Sequence, residues 1–229
     1  MAQEKMYAVI TGDVAGSSRF EGEQRALLIS ALKQSFALIS EMLGADAVVF
    51  PFEIFRGDSF QGVLQEPQKA FKAGILIRAY LRKSFKTTLK EAIDARIAIG
   101  IGTISMLPDG RGGEGDGEAY RNSGPLLDKM TKESRFIKVT TPWESMNLEL
   151  DVECSLLDTI ISKWSSKQAE VLIETWKGKT QEQMATELNI SQPGIRKRIQ
   201  SSHIYPIGLM DNRFNDLFRS FNQNMNTKL

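Results

Sequence analysis

Two aspartates near the N-terminus are of a type that binds divalent metal ions. Asp13 lies at the end of the apolar run Met6–Val14, and Asp58 follows Gly57 between two β-rich segments. Carboxylate oxygens are the ligands that Mg²⁺ prefers in proteins, and a bound Mg²⁺ or Mn²⁺ can hold a triphosphate. Asp13 and Asp58 are therefore predicted metal ligands. The alternative is local: Asp13 caps a strand-to-helix turn, and Asp58 suits a hairpin.

The residues beside Asp13 have the character of a phosphate-binding segment. Gly12 and Gly16 lack a Cβ atom, so a phosphate could approach the backbone amides closely. Ser17 and Ser18 add hydroxyl donors. We therefore predict nucleotide binding at Gly12, Gly16, Ser17 and Ser18. Mg²⁺ or Mn²⁺ with a nucleotide is the only cofactor that this prediction implies.

A second set of candidate residues lies in the segment 180–202 (TQEQMATELNISQPGIRKRIQSS), which is typical of two short helices joined by a turn. Thr180 and Gln183 form a predicted capping box. Asn189 tolerates the left-handed conformation of a sharp turn, and Ser191 is a predicted N-cap. This is the pattern of a helix-turn-helix, whose second helix can enter the major groove of DNA. The alternative is an ordinary helix pair with a solvated basic face.

The second helix of this pattern carries a basic triplet, Arg196, Lys197 and Arg198, and no acidic residue occurs in the segment 191–202. Such charges neutralise phosphates and make the affinity for DNA fall with salt. Gln192 and Arg196 are the predicted base-reading residues, because they lie near the start of the helix. The predicted DNA contacts are Gln181, Ser191, Gln192, Arg196, Lys197 and Arg198.

The elements that must position Asp13 and Asp58 follow the order β-α-β-β-α-β-α-β. We predict strands at 6–14, 47–56, 59–64, 95–104 and 136–140, and helices at 21–43, 67–86 and 118–133. This order is typical of an α+β, ferredoxin-like βαββαβ domain with an added helix and strand. In such a sheet the first strand lies beside the hairpin. Asp13 and Asp58 are therefore expected to converge at one edge.

The remainder of the chain has no predicted strand. Helices are predicted at 148–164 and 165–176, before the helix-turn-helix, and at 207–221 after it. This shift predicts two domains: a ferredoxin-like domain at 1–145, and an all-α DNA-binding domain at 146–229 with the helix-turn-helix at 180–202. The last helix has an apolar stripe, which we expect to pack on the helix-turn-helix or to mediate dimerisation: Met210, Phe214, Leu217 and Phe221.

Composition limits the classes of protein to which the chain can belong. An apolar fraction of 41% and a charged fraction of 25% are ordinary for a globular protein in water. The net charge of +1 means that any affinity for nucleic acid must come from a local patch. One cysteine excludes an intramolecular disulfide, and no uninterrupted apolar run reaches the about 20 residues that cross a bilayer. We expect a cytoplasmic protein with no membrane partner.

Several of these segments resemble class III nucleotidyl cyclases. The segment 13–17 (DVAGS) is similar to their first metal motif, and the segment 56–60 (RGDSF) is similar to their second metal hairpin. Gly117 with Asn122 resembles the start of the helix that carries their transition-state asparagine. The resemblance makes Asn122 a candidate catalytic residue and Arg56 a candidate substitute for the catalytic arginine.

Two positions depart from the cyclase pattern. Ile54 stands where the base-reading lysine is expected, and Leu126 stands where the catalytic arginine is expected. A leucine cannot stabilise the charge that develops on a transferring phosphate. Metal and nucleotide binding is therefore better matched than cyclase turnover.

Together with the helix-turn-helix, the cyclase-like half makes the whole chain most similar to the bacterial SatD family. The favoured function is transcriptional control through binding of double-stranded DNA by a homodimer. The first half would act as a sensor or dimerisation domain that takes a small nucleotide. One alternative is a nucleotide cyclase or other phosphoryl-transfer enzyme with an accessory helical half. Another is a protein–protein adaptor that binds no DNA.

Overall fold

A computed structural model describes residues 4–85, 93–107 and 115–227. Its strands are β1 (Met6–Val14), β2 (Val48–Arg56), β3 (Ser59–Leu64), β4 (Ala95–Thr103) and β5 (Ile137–Thr140). Its helices are α1 (Gly22–Leu43), α2 (Ala70–Ser84), α3 (Glu118–Glu133), α4 (Glu144–Ile161), α5 (Ser166–Trp176), α6 (Gln181–Glu187), α7 (Gln192–Ser201) and α8 (Ile204–Thr227). The predicted elements are present, although α4 and α8 begin earlier than predicted, because their first turns lie outside the apolar spacing used to find them.

The strands form one five-stranded sheet in the order β2-β3-β1-β4-β5. The central strand β1 is antiparallel to both β3 and β4, whereas β5 is parallel to β4. The first six elements therefore form a ferredoxin-like βαββαβ core, to which α3 and β5 are added. The α+β prediction is confirmed for this core. Its topology places the end of β1 beside the β2–β3 hairpin.

Helices cover both faces of the sheet. α1 and α2 pack together on one face, and α3 lies on the other face against β1 and β4. The buried side of α1 includes Leu28, Leu32, Phe36 and Ile39, at the predicted helical spacing. By length and hydropathy alone α1 would also suffice to cross a membrane. In this structure its apolar side packs in the core.

The helical second half packs directly on α2 and on the segment before α4. Phe214 of α8 stacks on Phe71 of α2, with 5.3 Å between the ring centroids. Trp143 contacts Phe218 and Phe221 of α8 at centroid distances of 5.9 and 5.8 Å. The predicted packing of the α8 stripe on the helix-turn-helix is therefore corrected, because its aromatic rings pack against α2 and Trp143. Dimerisation through this helix stays a prediction.

A buried ionic network also joins the two halves at α2. The guanidinium of Arg78 is fully buried, donates two hydrogen bonds of 2.9 Å to Asp94, and donates one of 2.6 Å to Asp158 of α4. Arg82 donates to Asp94 at 3.0 Å and to the backbone oxygen of Trp164 at 3.3 Å. Burial alone would lower the pKa of Arg78, but the two carboxylates outweigh it and raise the pKa.

One hydrophobic core runs through the described residues of both halves, from the sheet to α8. The predicted boundary near residue 145 coincides with the start of α4, which packs on β5. The division into two domains stays a prediction, since the core is continuous across that boundary.

Candidate functional sites

The structure brings Asp13 and Asp58 to the same end of the sheet, as predicted. Asp13 is the penultimate residue of β1, and Asp58 lies in the tight turn between β2 and β3. The backbone amide of Val14 donates a hydrogen bond of 3.2 Å to Asp58 Oδ2. Each carboxylate is 21% exposed, so a dissolved ligand could reach both of them.

Each of these carboxylates has an arginine beside it. Arg96 lies opposite Asp13 in the β1–β4 register, and its Nε and Nη2 atoms donate to the two Asp13 oxygens at 2.7 and 2.8 Å. Arg25 Nη2 lies 3.9 Å from Asp58 Oδ1. The hydrogen bonds to Asp13 raise the pKa of Arg96 against the opposing effect of burial, and attraction to Asp13 and Asp58 adds to the rise. The Arg96 guanidinium is therefore a permanent cation at this site.

This arrangement does not fit a bound Mg²⁺ or Mn²⁺ ion. Both oxygens of Asp13 accept hydrogen bonds from Arg96, and a guanidinium also lies near Asp58. Within the described ranges no group of three or more His, Cys, Asp or Glu side chains could hold a metal ion. Metal binding by Asp13 and Asp58 stays a prediction that the ion pairs oppose.

The loop after Asp13 turns at Gly16. Gly16 adopts a left-handed conformation with φ 71°, and a short 3₁₀ helix follows at Ser17–Arg19. Gly12 is explained by packing, because a Cβ atom there would lie 2.5 Å from the Phe60 ring and 2.6 Å from the Arg96 backbone oxygen. Phosphate binding by Gly12, Gly16, Ser17 and Ser18 stays a prediction.

The structure describes the side chain of one candidate catalytic residue, Asn122, but not that of the other, Arg56. Asn122 uses its side-chain amide to donate a 2.8 Å hydrogen bond to the backbone oxygen of Ile101, which ties α3 to β4. This bond gives Asn122 a structural role. Arg56 ends β2, but its side chain lies outside the described residues. Catalysis by Asn122 or Arg56 stays a prediction.

The helices α6 and α7 are joined by the turn that the sequence predicted. Thr180 and Gln183 form a reciprocal capping box at the start of α6, with hydrogen bonds of 3.2 and 2.8 Å. Asn189 has φ 51°, the left-handed conformation expected of it. Ser191 accepts a 3.3 Å hydrogen bond from the Gly194 amide and thereby caps α7.

The outer face of α7 is polar and basic, whereas its inner face is apolar. Ile195 is fully buried and Ile199 is packed against the core. Arg196 and Lys197 are exposed, and Arg198 is partly buried. Across the part of the chain that the structure describes, none of these three basic side chains forms an ion pair. The structure thus places the predicted basic triplet on a helix whose charges are uncompensated.

Comparisons with known proteins show to which family this chain belongs. The sequence model of the SatD family matches residues 7–212, which is most of the chain. The chain belongs to the SatD family. The search of curated proteins gives this SatD family member no significant match.

Solved structures similar to this SatD family member include three nucleotide cyclases. A bacterial light-regulated adenylyl cyclase gives a TM-score of 0.43 at 12% identity, covering 61% of this chain and 77% of that one. The active GGEEF domain of a diguanylate cyclase from Vibrio cholerae gives 0.41 at 17%, covering 61% and 85%. The guanylyl cyclase Cya2 gives 0.39 at 13%, covering 64% and 78%. Similarities at this level identify no activity for the SatD chain.

Two features of this SatD family member were missed from sequence. One is the pairing of Arg96 with Asp13, although the position of Arg96 in an alternating strand was visible. The other is the anchoring of the end of α7, where Trp164 Nε1 donates a 2.9 Å hydrogen bond to the backbone oxygen of Ser202. Its only sequence signal was a lone tryptophan between two helices.

Proposed function

We propose that this protein binds double-stranded DNA through α7 and acts in transcriptional control. The observation that carries the proposal is the basic face of α7, on which Arg196 and Lys197 are exposed and Arg198 is partly buried. None of these three side chains has an ion-pair partner among the described residues. A cation that is not already paired in the protein can neutralise a DNA phosphate and release a counterion.

The packing of α7 supports this proposal. Ile195 holds one side of the helix in the core, and the Trp164–Ser202 hydrogen bond holds its C-terminal end. Gln192, in the first turn, is exposed. A helix fixed on one side and at one end, with an exposed N-terminal turn, has the form that helix-turn-helix proteins insert into a major groove.

The position of each side chain on α7 supports a particular role in the proposed complex with DNA. Gln192 and Arg196 lie nearest the start of the helix and would read base edges. Lys197 and Arg198 would contact the phosphate backbone, as would Gln181 and Ser191 at the starts of α6 and α7. One module of this size makes few contacts, so a homodimer on a two-fold symmetric site is part of the proposal.

Anisotropy titrations of the purified full chain with labelled duplex DNA, at several salt concentrations, test the proposal. Selection from a random duplex library would supply the preferred sequence. Replacing both Arg196 and Arg198 by alanine is expected to weaken binding at least about tenfold and to lower the salt slope by about 1, since Arg198 is assigned a phosphate contact and each such contact contributes about 0.9.

A matched control changes the same number of charges elsewhere. Lys129→Ala with Lys132→Ala alters two exposed lysines on α3, which lies against the sheet and away from α7. This variant should bind DNA as the unchanged chain does. If the α7 variant also kept its affinity and salt slope, DNA binding by α7 would be rejected and the adaptor function favoured.

A second candidate function is binding or turnover of a nucleotide at the end of the sheet. It is supported by the convergence of Asp13 and Asp58, which the Val14–Asp58 hydrogen bond holds together. Calorimetry with a panel of nucleoside triphosphates, with and without Mn²⁺, tests binding, and chromatography of the same samples detects any cyclised product. Binding lost in Asp58→Asn would support a nucleotide sensor, whereas a cyclic product would establish an enzyme.

A further inference from the structure

The end of the sheet holds a cluster of four ionised side chains, made of two carboxylates and two guanidiniums: Asp13, Asp58, Arg25 and Arg96. Arg96 approaches Asp13 from the neighbouring strand with two hydrogen bonds, the fork geometry in which arginine holds a carboxylate most strongly. Arg25 approaches Asp58 from the start of α1. The charges of the four groups cancel within the protein.

The Arg96 guanidinium lies where a cation bound by Asp13 would have to lie. It is attached to β4 directly across from Asp13, and both oxygens of the carboxylate face it. Mg²⁺ demands close oxygen ligands at about 2.0–2.1 Å and keeps the rest of its octahedral shell as water. Such an ion could reach Asp13 only if Arg96 gave up its hydrogen bonds, and the displaced guanidinium would then lie beside a second positive charge.

Arg96 is also difficult to move. Its side chain is only 21% exposed, and its backbone lies directly opposite Asp13 in the β1–β4 register. The carboxylate of Asp58 also attracts the Arg96 guanidinium electrostatically. A permanent protein cation is therefore already present where the two aspartates could share a metal ion.

We propose that Arg96 replaces the divalent cation at Asp13, so that this end of the sheet is a metal-independent, charge-balanced cluster. Asp13 is then a structural partner of Arg96. Any anionic ligand that binds here does so without Mg²⁺ or Mn²⁺. The inference does not depend on DNA binding by α7.

Titration of the full chain with MnCl₂ alone, followed by the electron paramagnetic resonance signal of free Mn²⁺, tests the proposal. The unchanged chain is expected to bind no Mn²⁺ below about 1 mM. Arg96→Met removes the guanidinium and keeps most of the side-chain volume, so it should gain one Mn²⁺ site per chain. Adding Asp13→Asn to that variant should abolish the gained site.

Two further variants complete the experiment. Arg96→Lys keeps a cation beside Asp13 and should bind no Mn²⁺. Arg121→Met removes a guanidinium from the exposed Asp116 pair and should not create a site either. Circular dichroism reports whether each variant is folded.

Two results would overturn the proposal. One is a Mn²⁺ site in the unchanged chain that Asp13→Asn abolishes. The other is a folded Arg96→Met variant that binds no Mn²⁺. If Arg96→Met does not fold, the Mn²⁺ titrations of the unchanged chain and of Asp13→Asn are compared with each other. A difference between them would reveal a metal site at Asp13 and overturn the proposal, whereas equal titrations are the expected result.

Discussion

The sheet-bearing half and the outer face of α7 both carry arginines, but the surroundings of those arginines differ. In the sheet-bearing half Arg78 and Arg96 each bind a carboxylate of the same chain with short paired hydrogen bonds. On α7 the described structure shows no carboxylate paired with Arg196 or Lys197. A guanidinium that is already paired stabilises the fold, whereas a cation left unpaired at the surface remains available to an anionic partner.

Removing a paired arginine should have the largest effect. Arg78→Met leaves part of the charge of Asp94 and Asp158 uncompensated in the interior, and breaking such a buried pair costs about 3–5 kcal/mol. The free energy of unfolding in urea should fall by this amount. Arg213→Met, at an exposed pair with Glu149, is the control and should change it far less. Equal losses of unfolding free energy in Arg78→Met and Arg213→Met would show that the buried pairs of Arg78 stabilise the fold no more than an exposed pair does.

A half-buried carboxylate with no ion-pair partner among the described residues, that of Asp211, should respond to pH in the opposite sense from Asp94. Burial raises the pKa of Asp211 to about 6, and its buried Oδ1 atom has no hydrogen-bond partner among the described residues. In the unfolded chain an aspartate has a pKa of about 3.9. The folded protein therefore holds the proton more tightly, and the stability that this contributes is complete below about pH 4 and is lost as the pH rises to about 6.

The measurement is urea unfolding of Asp211→Asn at pH 4 and pH 8. The amide removes the charge that is unfavourable when buried, so the variant should be more stable than the unchanged chain by about 1–3 kcal/mol at pH 8. Near pH 4 the two chains should differ little. Asp216→Asn, at an exposed position on the same helix, should show no such dependence on pH. An Asp211→Asn variant that is less stable at pH 8 would show that the carboxylate has a partner.

Removing one unpaired cation should have the smallest effect on the fold. Lys197→Ala replaces an exposed residue of α7 by a good helix former, so the free energy of unfolding should change by no more than about 0.5 kcal/mol. The salt slope of DNA binding should nevertheless fall by about 1. Anisotropy titrations and urea unfolding of the same preparation measure both. A large loss of stability would mean that Lys197 has a structural partner.

The sequence was sufficient wherever a structure depends on residues close together in the chain. The Thr180 capping box, the left-handed Asn189 and the β2–β3 hairpin are confirmed, because local backbone chemistry determines them. The convergence of Asp13 and Asp58 also followed, because the ferredoxin-like order implies which strands are neighbours.

The missed features depend on contacts between distant segments. Arg96 meets Asp13 only because of the register of β4 on β1, and a shift of one residue would turn it to the other face. The aromatic stripe of α8 was visible, but nothing in its spacing says that Phe214 stacks on Phe71 of α2. Amphipathic periodicity shows which side of a helix is buried and leaves the partner undetermined.

The position of Asp158 limits how this protein could exchange parts with others in evolution. Asp158 comes from the first helix after the predicted domain boundary, yet it accepts hydrogen bonds from Arg78 and from the backbone amide of Phe136 in the preceding half. A recombination event that joined the helical half to an unrelated sheet would bury that carboxylate without its arginine, at a cost of several kcal/mol. We therefore expect the two halves to be inherited together, with α2 and α4 changing in concert.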